Sequence, residues 1–499
     1  MYANRPRGIL WIMSDQHSFR ATRYAGNRTV ATPALDRLRT QGSSVANMYT
    51  AAPVCTPSRF AMLTGLYPHT TGCVNNLTPL PHAHRTAAHH LGREGYFPGY
   101  IGKLHAVDAQ THGFEYCIDA GHYYDYLGPK TEIFCRTMQV GSPFVRGGQY
   151  ERGSAGCCAP WLEIYQDEAR NPWLDALPNP HLPADLPPKD RFGSFVTREA
   201  ERFLRDYRDE RFFLFVSYLE PHEPYLPPGS FRTQYDPARL ALPPRPPAGR
   251  NGVPRFVSGR RWPTAWTDEG DELARLWLAA YYGNVSFMDR CVGRLLGVLD
   301  DLGLAEDTLV VYMSDHGDMM YEHGMFQKGV FYEACAHVPC LIRFPGRVAP
   351  GSTVAEVADL TSILPTTMGL SGLGVPSGLD GRSIAAAVPP AAGGLCSTTD
   401  PEACAFSEIG LDGAAGGRFM LRSGEYKYVH NRGDIDEVYN LADDPREFVN
   451  LLADGEEALP TGVRQIAADL RQRLRRKMPS RPYPLARATM TVNGVLGHL

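Results

Sequence analysis

Gly8-Ile-Leu-Trp-Ile-Met-Ser14 is an unbroken apolar run that ends in a polar pair, Ser14-Asp15. Continuous hydrophobicity, rather than alternation, marks a strand buried on both faces of a sheet. Phe212-Phe-Leu-Phe-Val-Ser-Tyr218 and Thr308-Leu-Val-Val-Tyr-Met-Ser314 repeat the pattern, and the latter again ends in Ser-Asp, at Ser314-Asp315. Tyr96–Ile101 reads as a further strand. Helical patterns lie between these runs. Residues 33–41 follow Thr32 as cap, with Pro33 in the first turn and Gly42 as the stop. Residues 84–94 run up to Gly95, residues 192–209 form another helix, and residues 269–302 form one or two. Apolar strands separated by helices predict an α/β fold with a mostly parallel sheet sandwiched by helices.

Outside this frame the chain changes character. Residues 117–190 and 226–268 are rich in Gly, Pro and Tyr without clear periodicity, as expected of insertions that serve as lids, substrate walls or structural surface. Tyr123, Tyr124, Tyr126 and Trp161 could form an aromatic wall there, or the insertion's own core. Residues 385–403 read as a linker, dividing a catalytic domain (1–384) from a small α+β subdomain (404–477). In the latter, four short strands precede a helix at 463–477. The tail, 478–499, starts Pro-rich and then carries Leu485, Met490, Val492, Val495, Leu496 and Leu499. Apolar side chains at a chain end need a cover, which predicts an arm and a homo-oligomer.

Composition removes several function classes. Against 54 acidic residues stand 50 Lys and Arg, a net charge of −4, so no nucleic-acid partner is expected. A share of 43% apolar and 21% charged residues is that of a globular protein. The run Ile9–Met13 is far short of the roughly 20 residues of a spanning helix. It is also too short for a secretory leader, so the expectation is a cytoplasmic protein without membrane contact. Eleven cysteines without a CxxC pair suit a reducing compartment, where most are small buried apolar residues. No Walker loop, GxGxxG or HExxH occurs. His82, His84, His89 and His90 read as exposed helix positions, and His112 and His337 as structural.

The chemistry collects where the apolar strands end. Sites in open α/β sheets form beyond the carboxyl ends of the strands. Asp15-Gln16 and Asp315-His316 would meet there if their strands were neighbours. Two carboxylates buried together need a cation. Asp15, Gln16, Asp315 and His316 are therefore candidate ligands of a divalent metal. Between them in sequence lies Pro53-Val-Cys55-Thr-Pro57-Ser-Arg59-Phe-Ala-Met-Leu-Thr-Gly65. Pro57 fits the first turn of a helix, which places Cys55 at its positive end, beside an anion site, with Arg59 a turn further on.

Cys55-Thr-Pro-Ser-Arg59 followed by Leu63-Thr-Gly65 resembles the signature of the formylglycine-dependent sulfatase family, within the alkaline phosphatase superfamily. Asp15, Gly102-Lys103-Leu-His105, Asp315-His316-Gly317, Lys328 and Val438–Pro445 extend the resemblance over nearly the whole chain. Gln16 and His316 stand where many members have aspartate and asparagine. That pattern is similar to the branch of choline sulfatases and phosphonate monoester hydrolases. The resemblance implies a large parallel-rich sheet with flanking helices and a smaller four-stranded C-terminal subdomain. It implies that a formylglycine-generating enzyme oxidises Cys55, and that the aldehyde hydrate, held with Asp15, Gln16, Asp315 and His316 on the metal, attacks sulfur. Ca²⁺ is the family's commonest ion, and the imidazole of His316 makes Mn²⁺ the alternative.

Arg59 would brace the nucleophile and the carboxylates, and Lys103 and Lys328 would bind sulfate oxygens. His105 would take a proton from the second hydroxyl. His222, in Glu220-Pro-His-Glu-Pro224, would contact sulfate and protonate the leaving group, and Asn76 would bind the ester. The implied activity is hydrolysis of a small-molecule sulfate ester. A phosphonate monoester or phosphodiester hydrolase with the same nucleophile stays open, as does a non-catalytic sulfate-ester binder. The Lys103-x-His105 pair is the sulfatase form.

Overall fold

The apolar runs become the centre of an eight-stranded sheet. Its strands are β1 (Gly8–Asp15), β2 (Ser43–Tyr49), β3 (Phe97–Gly102), β4 (Tyr116–Ile118), β5 (Phe212–Pro221), β6 (Thr308–Ser314), β7 (Cys340–Arg343) and β8 (Ser352–Asp359), in the order β4-β3-β5-β1-β6-β7-β2-β8. All neighbours pair in parallel except β7, which runs antiparallel to both β6 and β2. The computed structural model describes residues 5–106, 110–130, 186–223, 225–249, 251–262, 264–393, 400–410 and 417–479, and the backbone of 490–492 and 495–497.

Strand β1 shows why its sequence does not alternate. Ile9, Trp11 and Met13 pack into one layer with Phe60 and Leu63, while Leu10 and Ile12 pack into the opposite layer with Phe195, Val196 and Val292. Both faces are dry, so both must be apolar. The helix Phe192–Asp206 and the 34-residue helix Asp268–Asp301 cover the second layer, the latter a single helix over the stretch read as one or two. The helix Pro33–Gln41 starts where expected, but Thr32 makes no side-chain cap bond. Asp289, from the long helix, accepts instead from the N–H groups of Ala34 (3.0 Å) and Leu35 (2.9 Å). The helix expected over 84–94 is shorter, Ala87–Arg93, closed at its start by a capping box between Thr86 and His89. His82 and His84 lie before it, with His82 exposed.

The four-stranded antiparallel sheet consists of β9 (Ala405–Ile409), β10 (Arg418–Ser423), β11 (Tyr426–Asn431) and β12 (Glu437–Asn440), with the helix Thr461–Lys477 packed on it. It is tied to the large sheet by the N–H of Phe406 on Asp359 (3.0 Å) and that of Glu408 on the Ala51 carbonyl (3.0 Å). Part of the stretch read as a linker is fastened down, since Ala349 donates to the Pro389 carbonyl and Ala391 to that of Arg347. Of the tail, the strands β13 (Met490–Val492) and β14 (Val495–Gly497) pair antiparallel, and the arm's side chains lie outside the described residues.

The two insertions differ. Within 226–268, Tyr235, Leu240 and Trp262 pack against the long helix through Leu273, Trp277 and Tyr282. Tyr123 is fully buried against Phe192 and Phe195, with its hydroxyl on the Asp190 carbonyl (2.7 Å), so it belongs to the core and not to a wall. Trp161 lies outside the described residues.

Gly102 ends β3 at a φ of +111°, and a Cβ there would sit 1.9 Å from the Ser217 carbonyl oxygen. That oxygen also accepts the N–H of Lys103 at 2.9 Å. Gly102→Ala should therefore lower stability by roughly 2 kcal/mol or more, read as a drop in melting temperature.

Candidate active site

Four adjacent strands deliver the site. From β3 the chain passes into Lys103 and His105, from β5 into His222, from β1 into Gln16, and from β6 into Asp315 and His316. Strands β1 and β6 pair in register, Ser14 beside Ser314, so Asp15 and Asp315 emerge side by side. The helix Cys55–Thr64 points its first residue at them, and all ten of its residues are buried. Pro57 sits in its first turn, where a missing N–H costs nothing. Asn76 supplies the cap that Val54 cannot, its Oδ1 accepting the Thr56 N–H at 3.0 Å. Ser58 fixes the helix to β6 by donating to the Asp315 carbonyl at 2.6 Å.

Arg59 organises the carboxylates. Its Nη2 meets Asp15 Oδ2 at 2.8 Å and its Nε meets Asp315 Oδ2 at 2.9 Å, with all three side chains fully buried. Its Nη1 donates to the Lys103 carbonyl (2.6 Å) and Ser217 Oγ (2.7 Å). Each aspartate thus spends Oδ2 on the guanidinium and keeps Oδ1 for the centre. Asp15 Oδ1 lies 3.9 Å from Cys55 Sγ and 3.9 Å from His316 Nε2. Asp315 Oδ1 lies 3.8 Å from that nitrogen and takes the N–H groups of Gln16 and His316.

His316 Nδ1 donates to the Gly317 carbonyl at 3.0 Å. That fixes the tautomer and leaves the Nε2 lone pair facing Cys55 Sγ at 3.2 Å. One donor atom from each of Asp15, Cys55, Asp315 and His316 falls within 4.8 Å of the others. This donor set fits one divalent cation. Gln16 sits beside it at a φ of +67°, with its Oε1 accepting from Lys328 Nζ at 2.5 Å.

Cations ring the thiol. Lys103 Nζ lies 2.6 Å from Asp15 Oδ2, and Lys328 Nζ is 2.6 Å from His222 Nε2. Burial opposes ionisation of Asp15, but the charges of Lys103, Arg59 and Lys328 outweigh it and hold the carboxyl well below its usual range. Burial pushes the Cys55 thiol up to about 12, with Asp15 adding to the rise. Cys55 as a plain thiol is therefore protonated, which disfavours thiolate chemistry. Burial, then Lys103 and Arg59, hold His105 well below the usual imidazole value. Its two ring nitrogens are buried without a hydrogen-bond partner. A satisfied structural histidine would not look like this; a ring awaiting a ligand does.

The structure thus brings together Asp15, Gln16, Cys55, Arg59, Lys103, His105, His222, Asp315, His316 and Lys328, with Asn76 one residue removed, at the Thr56 N–H. His112, on the Phe60 ring, and His337, stacked between Phe19 and Tyr49, are packed in place. Sequence reasoning gave no role to Glu223 or Asp318. Glu223 places carboxylate oxygens 3.5 Å from His222 Nδ1 and 3.6 Å from Lys328 Nζ. Its nearness in sequence to His222 was the available signal.

Strand-end carboxylates, a cation's donor set and lysines around one buried side chain make a site for hydrolysing an oxyanion ester. The chain belongs to the sulfatase family: the sulfatase family model matches residues 7–373, and that of the N-sulphoglucosamine sulphohydrolase C-terminal region matches residues 321–479. An ulvan-active sulfatase of Formosa agariphila is 29% identical over 93% of this chain and 80% of its own length. The choline-sulfatase of Rhizobium meliloti is 27% identical over 89% and 82%. The phosphonate monoester hydrolase of Agrobacterium radiobacter shares the fold, with a TM-score of 0.72 over 95% of this chain and 96% of that one at 23% identity.

Arg59→Ala would leave Asp15 and Asp315 buried without their counter-charge. A loss of about 3–5 kcal/mol is expected, measured by denaturant unfolding.

Proposed function

We propose that this chain hydrolyses a sulfate monoester to an alcohol and sulfate, with formylglycine derived from Cys55 as the nucleophile's source and one divalent cation at Asp15, Asp315, His316 and the position-55 side chain. The observation that carries this reading is the convergence of that donor set with Lys103, Lys328 and the unpartnered His105 ring around one side chain. Cys55 Sγ here stands in for an oxygen of the hydrated aldehyde. One of its two hydroxyls attacks sulfur and the other expels sulfate, which a single thiol or hydroxyl cannot do. The cation supplies charge that favours the deprotonated hydroxyl and offsets sulfate. Ca²⁺ is the ion proposed, and the imidazole nitrogen among the ligands makes Mn²⁺ the alternative.

The chain's own residues handle charge and protons. Lys103 and Lys328 face the sulfate oxygens and the bridging oxygen, where negative charge grows as the S–O bond breaks. His105, neutral at physiological pH, accepts the proton of the second hydroxyl. Lysine donates only, so at 2.6 Å from Lys328 the Nε2 of His222 is an acceptor, and its Nδ1 proton goes to the Glu223 carbonyl (2.6 Å). The proton for the leaving alcohol is thus on Lys328, with His222 orienting it. Arg59 keeps both aspartates ionised and aimed. Asn76 caps the Cys55 helix through Oδ1 on the Thr56 N–H (3.0 Å), and its amide NH₂ is the end that would bind the ester. Maturation calls for a formylglycine-generating enzyme as partner. Among the described residues no helix is long and apolar enough to cross a membrane.

Mass spectrometry of the peptide containing Cys55, from active protein, should show an aldehyde in place of the thiol, and Cys55→Ala should be inactive. An active preparation with an intact thiol would refute the mechanism.

Against a panel of an aryl sulfate, choline sulfate, a sulfated sugar and a phosphonate monoester, a sulfate ester should have the highest kcat/KM. Lys103→Ala should lower that value by about 100-fold or more. A phosphonate rate above every sulfate would replace the reading with phosphonate hydrolysis.

A further inference from the structure

Asp318 follows the Asp315-His316-Gly317 run and is 1% exposed. Its carboxylate is used on four sides. Oδ2 accepts from Gln16 Nε2 at 2.6 Å and from the Tyr225 hydroxyl. Oδ1 accepts the N–H of Met320 at 2.8 Å and that of Gln327 at 3.1 Å. The second pair gathers the two ends of the 320–327 loop, in which Met320, Tyr321, His323 and Gln327 all have positive φ. Lys328 is the next residue. A loop with four non-glycine residues in that region persists only where its surroundings hold it.

The first pair settles a different question. Gln16 has an acceptor end and a donor end, and Lys328 Nζ lies 2.5 Å from the former. Carboxylates only accept and ammonium groups only donate. Asp318 on one side and Lys328 on the other therefore allow one orientation of the amide: NH₂ toward Asp318 and Tyr225, carbonyl toward Lys328. A reversed amide would face donor against donor and acceptor against acceptor. Tyr225 reinforces this, taking Gln16 Nε2 at 3.0 Å while giving its own proton to Asp318.

We infer that Asp318 is a positioning residue for the hydrolysis: through opposite oxygens it fixes the polarity of the Gln16 amide and the placement of Lys328. This deepens the proposed sulfatase reading and rests on it for the role of Lys328. The arrangement makes Lys328 placement depend on hydrogen-bond polarity, not only on loop packing. In Asp318→Asn the side-chain carbonyl keeps the Met320 and Gln327 N–H groups, because the amide end cannot accept them. The new NH₂ then faces Gln16, reverses its amide and sets NH₂ against the Lys328 ammonium. Gln16→Glu alone sets carboxylate against carboxylate. Combined, the two substitutions restore the match, since a carboxylate at position 16 accepts from both the new NH₂ and Lys328.

The test is a double-mutant cycle on the full chain with two readouts: melting temperature, and inorganic sulfate affinity by calorimetry. Kinetics on the best ester of the panel accompany them. Each single variant should melt lower and bind sulfate about tenfold or more weakly, with kcat reduced in parallel. The double variant should recover most of both losses. Additive losses, or wild-type sulfate affinity in Asp318→Asn, overturn the inference. Recovery of melting temperature without recovery of sulfate affinity overturns the placement of Lys328. If the wild type neither binds sulfate nor cleaves any sulfate ester, the functional reading fails, while the melting cycle still decides whether Asp318 sets the polarity of Gln16.

Discussion

Two carboxylates and one guanidinium, all without solvent, are the constraint around which this protein is arranged. Asp15 and Asp315 are forced together by the in-register pairing of β1 and β6, and without a counter-charge their burial would oppose folding. Arg59 answers with its fork, taking Oδ2 of each. Its planar geometry matters as much as its charge, because a lysine is a point charge and cannot reach two carboxylates in fixed directions. The consequence is geometric: the remaining Oδ1 atoms share one small volume with His316 Nε2 and the side chain of residue 55. The helix that carries Arg59 also carries Cys55, so the brace and the reactive position cannot drift apart.

The sheet's order turns chain separation into proximity. Strands β3, β5, β1 and β6 lie next to each other, and each contributes its basic or acidic residues just past its carboxyl end. The Asp318 loop and Glu223 then set what surrounds them. Lys103 meets Asp15, Lys328 meets Glu223 and Arg59 meets both aspartates, while the His105 ring keeps both nitrogens without a hydrogen-bond partner. A site with this many buried cationic groups suits an anion, which would share Lys103 and Lys328 with the carboxylates they now meet.

Much of this was visible in the residues. Strands β1, β5 and β6 are so apolar that no other reading competes, and their polar ends marked the site. Strands β2, β7 and β8 were not legible. Ser43–Tyr49 and Ser352–Asp359 are half polar, and Cys340–Arg343 has four residues, too few to show a period. Their pairing is a property of the sheet and not of the segment. The Pro33 helix shows the same limit, for its cap comes from Asp289, far along the chain, and Thr32 merely had the right chemistry. Asp318 was written in the sequence beside the residues it supports, but two of its four partners, Gln16 and Tyr225, come from distant segments. The sequence suggested His222 as the acid for the leaving group, whereas the proposed mechanism puts that proton on Lys328, which donates to His222 Nε2; such a contact between distant segments cannot be read from either one.

The complete burial of the Cys55–Thr64 helix bears on how the protein comes into being. With Cys55 1% exposed and the entire helix enclosed between sheet and flanking layers, no macromolecular catalyst can grip this segment in the finished fold. Chemistry at Cys55 by another protein must precede closure of the sheet. Since β5 and β6, which wall the helix in, are synthesised long after it, the nascent chain offers an interval in which the segment is still extended. If Cys55 is converted as proposed, the yield of working protein is decided by a race between folding and modification, and faster folding would count against it.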